Sequence, residues 1–122
     1  MNALLLWLGV ALLGGVGAVA RFLFSTAVAR RSDGWFPSGT LAVNLSGTAL
    51  LGLLAGVALH GDALPLVGGG LIGSYTTFST WMLDSERLAE HHSDRALFVN
   101  LAGSLLLGFA AVALGRALGG LF

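Results

Sequence analysis

Hydrophobic positions gather into four long stretches separated by three short polar ones. Residues 3–29 are apolar apart from Arg21, and residues 38–59, 63–83 and 96–115 carry no charge. Each stretch reaches the roughly 20 residues with which a helix crosses a hydrocarbon core of about 30 Å. Lipid admits only helices and closed barrels, and uninterrupted apolar runs fit helices because barrel strands alternate. The pattern predicts an all-α membrane protein with four transmembrane helices, at about 3–29, 38–59, 63–90 and 96–119, in one domain over residues 1–122. The connections at 30–37, 60–62 and 84–95 are short, so the helices run antiparallel with both termini on one side. Ala18-Val19-Ala20 imitates a signal-peptidase site. No basic segment precedes it, however, and apolar character resumes after Arg21, so this stretch is expected to stay as a membrane helix.

Composition agrees. The chain of 122 residues is 56% hydrophobic and only 10% charged, with a mean hydropathy of +0.87, whereas a soluble domain carries about 25% charged residues. It contains no cysteine, which excludes a disulfide framework or a thiolate metal site. A formal net charge of zero argues against nucleic acid as a partner. His60, His91 and His92 lie in loops or at helix ends without further ligands nearby, so no metal site is expected from them. Arg30, Arg31, Arg87 and Arg95 fall on one side, against Arg116 and the terminal amine on the other. The positive-inside rule then puts the first and third connections in the cytoplasm, although five of the six acids share that side.

Polar groups at membrane depth carry the functional signal, because each is costly unless it faces protein or water. Arg21 is the one charge deep in the first stretch; it either snorkels to the interface or faces an anion. Thr40, Asn44 and Thr48 recur every four residues on one face of the second stretch. Gly52 and Gly56 form a small-xxx-small pair suited to close helix approach. Asn44 either hydrogen-bonds across helices or offers amide N–H groups to an anion in a wet pathway. In the fourth stretch, Asn100, Gly103, Ser104 and Gly108 make a similar stripe, where packing alone accounts for the two glycines.

The third stretch differs. Four glycines precede the run Ser74–Thr80, in which six of seven residues carry a hydroxyl, a poor composition for a continuous helix. A break at 73–77 is expected, tolerated only inside protein or beside water. Freed carbonyls there could hold a small hard cation, and the new helix N-terminus favours an anion. Beyond it, Phe78 and Trp81 lie three apart on one face. Ring edges turned to a pore favour an anion, and ring faces favour a cation.

Taken together, "GGVGAVARF" at 14–22, "GTLAVNLSG" at 39–47, "TTFSTW" at 76–81 and "NLAGSLLLG" at 100–108 resemble the Fluc (CrcB) family of fluoride channels. The resemblance implies four-helix subunits in an antiparallel, dual-topology dimer, in the inner membrane, letting fluoride leave the cell passively. It assigns Asn44 as the pore asparagine and Phe78 as the first pore phenylalanine. Trp81 stands in place of a second phenylalanine. Ser79, Thr80 and Ser104 fall on a hydroxyl track, with Thr40 and Asn100 as further polar pore candidates. The carbonyls of Gly73 and Thr76 would hold a structural Na⁺ at the dimer centre. Arg21 matches the first-helix arginine, and Asp84 an acidic position near the pore vestibule. The implied partners are fluoride, lipid and a second copy of the chain, or a homologous partner subunit, since the arginine bias sits awkwardly with insertion both ways.

The chemistry is coherent. Fluoride is strongly hydrated, and neutral donors can replace its shell without binding too tightly for release. A proton-coupled small multidrug exporter needs an intramembrane carboxylate, and Asp84 lies only at a segment end. No nucleophile–base pair suggests an enzyme.

Overall fold

The structure is a computed structural model describing residues 1–122. It is entirely helical. Helix α1 (Ala3–Arg30) begins at Asn2, whose side chain accepts the Leu5 amide and so caps one of the orphan donors of the first turn. Its 28 residues extend about 42 Å at 1.5 Å per residue. The loop to α2 (Ser38–Gly56) ends at Pro37, which sits directly before the first helical residue. After Gly56 the chain reverses through Ala58, held in the left-handed region at φ 61°, with the Leu59 amide bonding back to the Leu54 carbonyl.

The third stretch is not one helix. A π-helical segment, π1 (Leu64–Ile72), continues directly into the short α3 (Gly73–Tyr75). Thr76 then turns extended, at φ −79° and ψ 159°, and the helix resumes only with α4 (Ser79–Glu90). The interruption therefore lies at Thr76–Phe78, later than the expected 73–77. Gly73 remains helical, because the glycine run supports the wide π turns and the hydroxyl residues beyond it supply the alternative hydrogen bonds that end the helix. The last stretch runs unbroken from Asp94 to Gly119: α5 (Asp94–Phe98), a second π segment π2 (Val99–Gly103) and α6 (Ser104–Gly119).

Three helices, Ala3–Arg30, Ser38–Gly56 and Asp94–Gly119, are long and apolar enough to cross a membrane. Only 14 of 122 residues are buried, and Leu4, Trp7, Leu12, Phe22, Leu106 and Phe109 among many others point outward. Apolar outer surface on this scale needs a lipid or protein environment. The chain ends agree with an up-and-down path, since the Met1 amino group pairs with Asp62 of the second connection at 3.4 Å.

Contact between α2 and α6 is backbone to backbone. A Cβ on Gly52 would collide with the Val112 carbonyl, and one on Gly56 with that of Arg116. Conversely, a Cβ on Gly115 would collide with the Ala49 carbonyl and one on Gly119 with that of Leu53. Two small-xxx-small pairs thus interlock. Gly103 and Gly108 take no part in this crossing: nothing in the chain lies within 4 Å of a Cβ on Gly108, and only Val99 approaches Gly103. Glycines occur along α6 at Gly108, Gly115 and Gly119, and the crossing with α2 uses the last two, at its C-terminal end.

Candidate functional site

Asn44 and the interruption are built on each other. Its Nδ2 donates to the Thr77 carbonyl at 2.8 Å, and the Thr77 amide donates to its Oδ1 at 2.8 Å. The side chain thereby satisfies both polar groups of one residue at the point where the helix stops. Lipid would leave them unpaired at a cost of several kcal/mol each, on the order given for the bilayer core. Thr77 also ends the gap, because its Oγ1 accepts the Thr80 amide at 3.3 Å in the manner of a helix cap. Ser74 donates to the Gly70 and Leu71 carbonyls, Thr76 to Ile72, and Tyr75 meets Ser46 at 2.9 Å. Gly47 makes room, since a Cβ there would strike Thr76 and Tyr75. The carbonyls of Gly73, Ser74, Tyr75 and Thr76 accept no backbone hydrogen bond.

One second proton of the Asn44 amide remains, and Asn44 opens onto a groove of about 400 Å³ with Thr48, Phe78, Trp81, Ser104 and Gly108 among its walls. Phe78 and Trp81 meet edge to face, with centroids 5.7 Å apart and planes at 79°. The Ser104 hydroxyl is buried and has no hydrogen-bond partner. Asn44, Thr48, Ser104 and the Phe78–Trp81 pair thus bring neutral polar and aromatic groups, with no charged residue, to one groove. Such a set can strip water from a small anion without holding it by a full charge.

A second cavity, of about 280 Å³, lies on the other side of Thr77 and is lined by Arg21, Ser25, Thr40 and Thr80 among others. Arg21 forms no ion pair there, and α1 continues for nine residues beyond it to Arg30, so Arg21 lines this cavity well inside its helix. Thr40 donates to Asp84 at 2.8 Å, closing one edge. The structure therefore divides the sequence candidates. Asn44, Phe78, Trp81 and Ser104 meet at the groove; Arg21, Thr40 and Thr80 meet at the second cavity, with Asp84 beside them. Ser79 is exposed, and its hydroxyl lies 3.5 Å from that of Thr77. Asn100 is 1% exposed and lines neither space; its amide donates to Ser85 at 2.9 Å. Thr77 and Ser85 were missed. The signal for Thr77 was its position three before Thr80, and for Ser85 its position four after Trp81.

The family profile described as "CrcB-like protein, Camphor Resistance (CrcB)" matches residues 8–116. The chain belongs to the CrcB-like family. It is 52% identical over 118 residues to "Fluoride-specific ion channel FluC 2" of Mycolicibacterium paratuberculosis, covering 97% of each chain. It is also 43% identical over 119 residues to "Fluoride-specific ion channel FluC 1" of Symbiobacterium thermophilum, covering 93% of this chain and 96% of that one. Over 106 residues it is 46% identical to "Fluoride-specific ion channel FluC 1" of Rubrobacter xylanophilus, covering 86% of each. The matched span of the CrcB-like family includes both polar spaces and the interruption between them.

Proposed function

We propose that this chain is a fluoride-specific channel subunit that lets fluoride leave the cell down its gradient and so protects against fluoride toxicity. The observation that carries the proposal is the groove lined by Asn44, Thr48, Ser104 and the edge-to-face Phe78–Trp81 pair, with no charged residue among its walls. Its donors are neutral and close, and the similarity to relatives named as fluoride channels supplies the ion. This is a passive pore and not an enzyme.

The finer features of the proposal follow the same chemistry. Residues 63–90 form the third of four membrane crossings, interrupted at Thr76–Phe78. The groove is open, with Phe78 69% exposed, and polar walls open to lipid are unfavourable. A second, antiparallel copy of the chain would cover them, or a homologous subunit given the arginine bias. The carbonyls of Gly73 and Thr76 accept no backbone hydrogen bond, and neutral oxygens of this kind suit a hard monovalent cation. They fit a structural Na⁺ at the centre of that dimer. The inner membrane is the proposed location.

The test is fluoride efflux from liposomes carrying purified protein, with chloride as control. Fluoride-selective efflux is expected. Its absence from correctly folded, dimeric protein would overturn the homomeric channel reading.

A further inference from the structure

Trp81 lines the groove with its ring, yet its one polar atom is held by protein. The indole Nε1 donates to the Asn100 carbonyl at 3.0 Å. The Asn100 amide donates to the Ser85 hydroxyl at 2.9 Å, and that hydroxyl donates to the Trp81 carbonyl at 2.8 Å. Three residues thus close a hydrogen-bonded ring between α4 and π2. Ser85 and Asn100 are 6% and 1% exposed, so each bond is shielded from water and costly to leave unmade.

The Asn100 carbonyl has a second role. It also accepts the Ser104 amide, and Ser104 lines the same groove. One carbonyl therefore anchors both the aromatic wall and the hydroxyl wall. A phenylalanine at 81 would have no N–H with which to make this junction.

We propose that Trp81, Ser85 and Asn100 form a positioning clamp that sets the spacing of the two groove walls, with the indole N–H bound to protein and not donated to fluoride. The proposal rests on the fluoride-channel reading of the groove. Trp81 then offers the ion only its C–H edge, and Ser85 and Asn100 act through it without touching the ion.

The indole N–H signal of ¹⁵N-labelled protein tests this, with Trp7 and Trp35 replaced by phenylalanine so that Trp81 alone is observed. The signal is expected to be protected from hydrogen exchange and unmoved by sodium fluoride relative to sodium chloride. Ser85→Ala and Trp81→Phe should each lower fluoride efflux by about three- to tenfold, the scale of one lost hydrogen bond. Ser85→Ala should also shift the indole signal, and Ser85→Thr, which keeps the hydroxyl, should restore both readouts. A fluoride-dependent shift or loss of protection at the indole overturns the proposal. So does wild-type efflux in folded Ser85→Ala and Trp81→Phe. If wild-type protein shows no fluoride efflux, the channel reading fails while the indole signal still decides whether the clamp exists.

Discussion

At the scale of single residues, the deciding feature is that Asn44 holds the backbone with one amide proton, has a second one to donate, and lines the groove. Asn44→Asp removes both protons and sets a carboxylate oxygen against the Thr77 carbonyl. Loss of this part-buried bond should cost about 1–3 kcal/mol of stability, and negative charge in the proposed anion path should abolish fluoride efflux. Efflux from vesicles and thermal denaturation in detergent measure the two effects separately. Retained wild-type efflux would remove Asn44 from the pathway. The sequence placed Asn44 on a polar helical face but left its role open between packing and anion binding. The structure shows why the alternatives were not exclusive: an amide has enough donors and acceptors for both.

At the scale of elements, α2 and α6 cross where Gly52 and Gly56 face Gly115 and Gly119, with carbonyls directly under each missing side chain. Gly115→Leu must push backbone rather than a flexible side chain. It should destabilise by about 1–3 kcal/mol, the usual range for overpacking, seen as a lower thermal midpoint; an unchanged midpoint would contradict this crossing. The opposite sign is expected at the α2 exit. Ala58 sits at φ 61°, a conformation that costs an L-residue roughly 1–2 kcal/mol. Glycine there relieves the strain, offset in part by its greater freedom when unfolded, so Ala58→Gly should raise the midpoint slightly. The sequence carried the pair on α2 but not its partner: four glycines recur along residues 103–119, and periodicity alone does not say at which level two helices cross. The interruption was legible for a different reason. Hydroxyl residues that compete for backbone hydrogen bonds mark a weak helix wherever they cluster, but its position at Thr76–Phe78 depended on where Asn44 could reach.

For the whole molecule, the groove is open and Gly73 is exposed, and the proposed dimer would cover the groove and hold the proposed Na⁺. Protein purified and reconstituted with N-methylglucamine in place of sodium should lose fluoride efflux, and sodium added back should restore it. Efflux that is indifferent to sodium throughout would remove the cation from the proposal. Thr77 lines both polar spaces, one with Asn44 and Ser104 and the other with Arg21 and Thr40, and in the proposed channel these would serve as a neutral site and a separate charged approach. An arginine held outside the constriction can concentrate anions without trapping them.

Hydrophobic length and the scarcity of charge settled by themselves that this chain is a helical membrane protein, because the hydrocarbon core sets a minimum span and forbids unpaired backbone. Four short strings, read as motifs, were enough to indicate the family. Only the tertiary structure separated the polar candidates into two spaces, moved Asn100 from the groove to the ring behind Trp81, and assigned the helix crossing to Gly115 and Gly119. The reason is physical. Spacing along a helix fixes which residues share a face, but which donors stay free depends on partners supplied by other helices.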